Sequence, residues 1–269
     1  MMTKINDFVN GLGALRPKID LRDYKLKIAA ETFPEEFKLE PPQQIKNQGD
    51  VNSCVANMAS YVKEKLYKAV SGAYKRFSVG YIYGNKSDTT TSGMYLRNAF
   101  QILNELGDVF NNNFNYDLEI PEIENKINET GRDQLNALAA EHKTLTYFQV
   151  DGDAQIKTAL QEYGYVGIGI PWYSDNAVDL TVVHQGANYV GNHALTIYGW
   201  NETGWLFANS WGTKWGSSGC SILPYDYPID EAWCATANPN EDVKIPAQSP
   251  LKNFILKIIS RIINFFRMK

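Results

Sequence analysis

Lys46-Asn47-Gln48-Gly49-Asp50-Val51-Asn52-Ser53-Cys54-Val55-Ala56-Asn57-Met58-Ala59 is a loop that ends on a cysteine and opens a helix. Beyond Cys54, the residues Val55, Met58, Ala59, Val62, Leu66 and Val70 recur mostly at steps of three and four. That is the period of one helix face, and such a face is expected to pack into a core. Gly49, Asp50 and Asn52 are loop and helix-start residues. Cys54 is therefore expected in or near the first turn, where unpaired backbone N–H groups and the helix dipole favour an anion. A thiol attacks only as its thiolate, and a helix N-terminus lowers its pKa. A buried structural cysteine is the competing reading.

The choice between them depends on residues far downstream, because nucleophilic cysteine chemistry needs a base, usually histidine, and a group that orients it. Two strand-like runs supply both: Gly191-Asn192-His193-Ala194-Leu195-Thr196-Ile197-Tyr198-Gly199-Trp200 and Phe207-Ala208-Asn209-Ser210-Trp211-Gly212-Thr213-Lys214-Trp215-Gly216. Each begins or ends on a polar residue, so His193 and Asn209 are expected at strand ends beside a cleft. These segments resemble the papain family of cysteine peptidases. His193 lies 139 residues after Cys54, within the spacing of roughly 130–150 found in that family. In the resemblance Gln48 matches the family's oxyanion glutamine, and Asn209 to Gly216 matches its Asn-Ser-Trp-Gly-x-x-Trp-Gly run without a change. The matching segments cover a small part of the chain, but their order, spacing and flanking residues agree.

The resemblance implies an α+β fold of two lobes, papain-like, with a helical N-terminal lobe, an antiparallel β-barrel-like C-terminal lobe and the active-site cleft between them. It implies Cys54 as nucleophile, His193 as base, Asn209 as the group that orients the imidazole, and Gln48 as an oxyanion donor. Trp211 would shield the His193–Asn209 bond from water. Ala194 would border the pocket for the second substrate residue, and Asn192 would lie beside the leaving side. Asn52 stands where papain has glycine, near the first subsite. Where papain has paired glycines, this chain has Ser92-Gly93, and Gly93 is the candidate substrate wall because it lacks a Cβ. Val55 replaces the family's usual aromatic residue. No departure removes a catalytic group, so peptide-bond hydrolysis with altered specificity is expected. Two other readings stay open: a Cys–His amidase or acyltransferase acting on cell-wall peptides, and a non-catalytic binding protein on the same fold. His184 is expected in a loop, and His142 at a helix end as an ordinary surface cation. No zinc-site spacing and no phosphate-loop glycine pattern occurs, so no metal and no cofactor is expected.

Composition sets the limits around this reading. With 269 residues, 44% of them hydrophobic and 13% aromatic, the chain can bury a sizeable core as one large domain or two lobes. The formal charge of −4 conceals an asymmetry: Lys252, Lys257, Arg261, Arg267 and Lys269 close the chain with no acid among them. The remainder is correspondingly more acidic and carries no electrostatic footprint for nucleic acid. Three cysteines exclude a disulfide framework, and Cys220 and Cys234 can form at most one bridge. Secreted family members usually carry a bridging cysteine three residues before the nucleophile; here that position is Val51, which fits a reducing compartment or a bacterial or viral relative. Met1 to Asn10 lacks the apolar core of a signal peptide, so cytoplasmic synthesis is expected, with the final location left open. No stretch is long and uncharged enough to span a bilayer as a helix.

In order, residues 1–33 form a short N-terminal extension, either a pro-segment over the cleft or a strap on the surface. Residues 34–143 form the helical lobe, with a second helix over 93–106 stopped by Gly107, an irregular Asn-rich stretch over 111–128 and a helix over 132–141. Residues 144–240 form the β-rich lobe, with strands over 146–150, 166–170, 193–200, 205–208 and 219–223 and a helix over 153–162. A linker follows at 241–250, then a basic amphipathic helix at 251–269. That helix would lie on an anionic membrane surface, grip a partner protein or pack on its own domain. The partner expected of the cleft itself is a polypeptide substrate.

Overall fold

The computed structural model describes residues 11–17, 23–27, 32–174 and 182–239; the expected linker and basic helix at 241–269 lie outside the described residues. A two-residue strand, β1 (Phe37–Lys38), precedes the loop that leads to the first helix. The periodic run after Ser53 forms α1 (Cys54–Ser71), which stops where Gly72 takes the left-handed conformation at φ 72° and returns its N–H to the Lys68 carbonyl. Every residue from Cys54 to Glu64 is buried, so α1 is enclosed on all sides rather than lying on a surface. Its first turn contains no acid. The Ser53 hydroxyl, which would ordinarily cap the helix, instead donates to Asp117 Oδ1 at 2.8 Å.

Around α1 stand α2 (Val79–Gly84), α3 (Leu96–Glu105), α4 (Glu122–Thr130) and α5 (Arg132–Ala140). No sequence signal marks α2, a short helix whose start is fixed by the Ser78 hydroxyl accepting the Tyr81 N–H. The second amphipathic helix begins at Leu96, not Gly93, because Met94 is drawn into an extended bridge with Ala14. Part of the Asn-rich stretch expected to be irregular is helical: in α4, Ile123 and Ile127 are one turn apart and fully buried, packed over the bare backbones of Gly80 and Gly84. His142 is not a surface cation. It is 9% exposed and lies among the rings of Tyr67, Phe77 and Phe110.

The second half is one antiparallel sheet with β2 (Thr146–Val150), β3 (Val166–Tyr173), β4 (Tyr189–Trp200), β5 (Gly204–Ala208), β6 (Cys220–Pro224) and β7 (Glu231–Thr236), and α6 (Gly152–Glu162) between β2 and β3. The strand order is β2-β7-β3-β4-β5-β6, with β1 paired to β4 at Gly199 and Trp200. The sheet is not closed, since β2 and β6 remain its edges. β7 was not foreseen. All six of its residues are buried, so it has no polar alternation to betray a strand, although Pro228 and Pro239 bracket the run. Together these elements form the α+β, two-lobe arrangement, with a cluster around Trp172, Trp200, Trp205 and Trp215 filling the sheet side. All three cysteines are free, and Cys220 and Cys234 are not bridged.

A buried ion pair fastens α1 to the loop that precedes it. Lys46 Nζ meets Glu64 Oε1 at 2.6 Å, with side chains 1% and 3% exposed. The same carboxylate accepts the Phe77 N–H and the Tyr74 hydroxyl. Burial pulls the Lys46 pKa down and the Glu64 charge opposes it. Removing one partner strands a charge in the interior. Glu64→Ala is therefore expected to destabilise the fold by about 3–5 kcal/mol, whereas Lys46→Met with Glu64→Leu should cost far less. Urea unfolding of the three chains checks this; a single mutant as stable as the parent would refute it.

Candidate active site

Gln48, Cys54, His193 and Asn209 arrive from four separate places and converge. The loop 46–48 pairs with the segment after β5: Asn47 bridges Trp211, Gln48 N–H donates to the Ser210 carbonyl at 2.9 Å, and Gly212 N–H donates to the Lys46 carbonyl at 2.9 Å. The Ser210 hydroxyl donates to Gln48 Oε1 at 2.5 Å, which turns the amide nitrogen of Gln48 toward the thiol side. Tyr61 on α1 donates its hydroxyl to the Asn209 carbonyl at 3.2 Å and accepts the Lys46 N–H.

His193 is not at a strand end but inside β4, which begins four residues earlier because β3 pairs with it as far as Tyr189. Asn209 directly follows β5, as expected. His193 Nε2 and Asn209 Oδ1 are 2.8 Å apart, and the imidazole is 0% exposed. Trp211 lies over it with ring centroids 4.7 Å apart and planes tilted by 32°, and Trp172 meets it edge-on at 5.3 Å. Trp172 was missed because the strand was expected to stop at Ile170; β3 runs on to Tyr173. His193 Nδ1 is buried with no hydrogen-bond partner among the described residues. Burial lowers the imidazole pKa to about 4, against the hydrogen bond to Asn209, and burial raises the Cys54 thiol to about 11.

The imidazole is enclosed by its two tryptophans, and the thiol is covered by an earlier segment of the chain. Residues 11–17 lie in the cleft. Gly13 N–H donates to Cys54 Sγ at 3.3 Å, and Gln48 Nε2 donates to the Gly11 carbonyl at 2.6 Å. One bank holds the strap through Met94, whose N–H donates to the Gly13 carbonyl at 2.7 Å and whose carbonyl accepts the Leu15 N–H at 3.0 Å. The other bank holds it through the Asn192 carbonyl, which accepts the Ala14 N–H at 3.3 Å. The fit admits no side chain at Gly13, where a Cβ would stand 1.9 Å from the Asn52 carbonyl oxygen. Gly93, at φ 86°, presents a bare backbone to the strap, with a Cβ there only 2.5 Å from the Gly13 oxygen. Further on, Asp23 pairs with Arg97 of α3, and Tyr24 and Leu26 bond to Gln149 on the edge of β2.

Each substrate-side candidate borders this strap or the catalytic group. Asn52 and Gly93 face Gly13, Asn192 binds Ala14, and Trp211 covers the imidazole. Ala194 lies opposite Gly169, which in turn lies opposite Glu231. Glu231, a buried carboxyl with no sequence signal to single it out, accepts the Trp233 indole N–H at 2.7 Å; burial raises it to about 7. His184 follows the short bridge at Val182, and His142 is in the aromatic cluster described above. Among the described residues no group of three or more His, Cys, Asp or Glu side chains is placed to hold a metal ion.

Residues 34–230 match the model of the papain family cysteine proteases. The chain is 26% identical over 220 residues to cathepsin F of Drosophila melanogaster, covering 70% of this chain but 32% of that protein. It is 26% identical over 208 residues to a peptidase C1-like protein of Acanthamoeba polyphaga mimivirus, covering 69% and 65% respectively. The chain thus spans about a third of the cathepsin F and about two thirds of the viral protein. Among solved structures, xylellain, a cysteine protease from Xylella fastidiosa, superposes with a TM-score of 0.76 at 20% identity, over 88% of this chain and 100% of that one. On the family match, carried over most of its length, the chain belongs to the papain family of cysteine proteases.

Proposed function

We propose that this chain is a cysteine peptidase that hydrolyses peptide bonds through Cys54, His193 and Asn209, with Gln48 in the oxyanion hole, and that residues 11–17 hold it latent. The observation that carries the reading is the Gly11 carbonyl: a peptide C=O of the chain itself already sits 2.6 Å from Gln48 Nε2, two residues before the N–H that donates to the thiol sulfur. Once the strap leaves, His193 Nδ1, now without a partner, takes the Cys54 proton while Asn209 holds the far side of the ring. The thiolate attacks the substrate carbonyl carbon, and the oxyanion is held by Gln48 Nε2 and the Cys54 backbone N–H, each donor worth roughly 3–4 kcal/mol in comparable sites. The imidazolium protonates the leaving amine, and water then hydrolyses the acyl-enzyme. The strap itself escapes cleavage because the atom it offers to Sγ is the Gly13 amide nitrogen, a hydrogen-bond donor and not an electrophile.

Latency has a direct test. Gly13→Ala forces a methyl group against the Asn52 carbonyl, so it should unseat the strap without touching the catalytic groups. Peptide hydrolysis and covalent labelling of Cys54 by an epoxide inhibitor are expected to rise by at least about tenfold over the intact chain, the equivalent of 1.4 kcal/mol in the closed–open balance. Cys54→Ala and His193→Ala in the Gly13→Ala background should abolish both. Labelling without hydrolysis of peptides, but with cleavage of muropeptides, would move the assignment to a cell-wall amidase; neither labelling nor hydrolysis would leave a binding protein.

Acid should destabilise the folded chain. Burial holds the imidazole at about 4 against 6.5 when free, so the unfolded chain binds the proton first. The stability that the neutral His193 contributes is complete above pH 6.5 and is lost as pH falls toward 4, by on the order of 2 kcal/mol at pH 4.5. Thermal unfolding followed by circular dichroism should drop in midpoint over that window, and the drop should shrink in His193→Gln. An identical pH dependence in that variant would refute the assignment.

A further inference from the structure

Family members that secure the nucleophile loop with a disulfide do so from the position held here by Val51, and no cysteine of this chain is bridged. Something else must keep the loop before Cys54 in register with the substrate wall at Gly93, because the two come from segments about forty residues apart in the chain and meet only through side chains. No sequence signal marks a candidate for this, since the connecting residue lies in the Asn-rich stretch that precedes α4.

The residue is Glu119. Its carboxylate accepts three donors from three separate segments. Asn52 N–H, two residues before the nucleophile, donates to Oε1 at 2.5 Å. The Ser92 hydroxyl, next to Gly93, donates within 3.2 Å of both oxygens. The Tyr83 hydroxyl, on α2, donates to Oε2 at 2.7 Å. Two further bonds close the circuit: Asn52 Nδ2 to Ser92 Oγ at 2.7 Å, and Gly93 N–H to the Tyr83 oxygen at 3.1 Å. Lys86 then takes the other side of the wall, donating to the Gly93 carbonyl at 2.7 Å and to the Thr91 carbonyl. Asp117, two residues from Glu119, holds the next loop residue by accepting the Ser53 hydroxyl at 2.8 Å. Charge-assisted bonds of this kind are the strong ones, and a carboxylate with several acceptor sites is suited to joining several donors.

We propose that Glu119 is the positioning residue that fixes the substrate wall, Ser92 to Met94, against the nucleophile loop, and that it does by ionic hydrogen bonding what a disulfide would otherwise do. The proposal rests on the reading of the cleft as a peptide-binding site. Glu119 touches neither the thiol nor the imidazole; it acts through Asn52, Ser92 and Tyr83. The bonds it controls are those an extended peptide makes with Met94, as the strap does through Gly13 and Leu15. Its loss should weaken peptide binding more than it weakens the thiol, and the tie should be indifferent to reducing agents.

The test uses the full chain carrying Gly13→Ala, so that the cleft is open, and compares Glu119 with Glu119→Gln and Glu119→Ala. With a peptide substrate long enough to reach the wall, KM should rise about tenfold in Glu119→Ala, with kcat within about twofold. Glu119→Gln, which keeps one acceptor oxygen, should fall between the two. Alkylation of Cys54 by iodoacetamide, read at that peptide by mass spectrometry, should change by less than about twofold, because it needs the thiolate and not the wall. Unchanged KM, or a parallel fall in alkylation, would overturn the proposal and leave Glu119 a part of the general fold. Should the Gly13→Ala chain hydrolyse no peptide, the functional reading fails, and the clamp is judged on the strap alone. In the chain with Gly13 intact, Glu119→Ala should then speed the modification of Cys54 by a disulfide reagent about tenfold, by releasing Met94 from Gly13 and Leu15. No acceleration would overturn it.

Discussion

The pairing of residues 46–48 with residues 209–212 is the constraint on which the site depends. Asn47 bridges Trp211, Gln48 is bonded to Ser210 through both backbone and side chain, and Gly212 returns to Lys46. This short antiparallel contact joins the entry to α1 with the exit from β5, and therefore brings Gln48 and Asn209 together. Its foundation is the buried Lys46–Glu64 pair and the Tyr61 hydroxyl, which tie the same loop down onto α1. A charge pair enclosed in this way contributes little net stability compared with apolar packing, but breaking it is costly, so it acts chiefly to hold the loop in one arrangement.

The strap extends the same logic to the other side of the cleft. The strap lies between Met94 and Asn192, bonded to both banks as an added strand would be, and the atom it presents to the sulfur is a backbone amide nitrogen. Two glycines make this possible. At Gly13 the chain needs the space, and at Gly93 it needs both the space and a positive φ. Enclosure also sets the protonation state. With water excluded, the neutral thiol and neutral imidazole are favoured over the ion pair.

The bank that carries Met94 is itself held by polar contacts. Glu119 and Asp117 grip the successive residues Asn52 and Ser53, and Tyr83 and Lys86 fix Gly93 beside them. Hydrogen bonds to side chains tie these segments together, and all three cysteines are unbridged.

Much of this was legible in the sequence. The helix after Cys54 was legible because an apolar face repeats at steps of three and four, and the residues Gln48, Cys54, His193 and Asn209 because their types and order carry a chemistry that tolerates few substitutes. The strands at 146–150, 205–208 and 219–223 stood out as short apolar runs between turn residues. What the sequence left undecided are features set by contacts between distant segments. β7 is buried on both faces and has no alternation to read; α4 is helical because two isoleucines find the glycines of α2; His142 is enclosed by three aromatic residues far apart in the chain. The placement of residues 11–17 in the cleft, and of Glu119 among Asn52, Tyr83 and Ser92, belongs to the same class. A single backbone carbonyl or carboxylate has no periodicity, and only the tertiary structure decides which donors it meets.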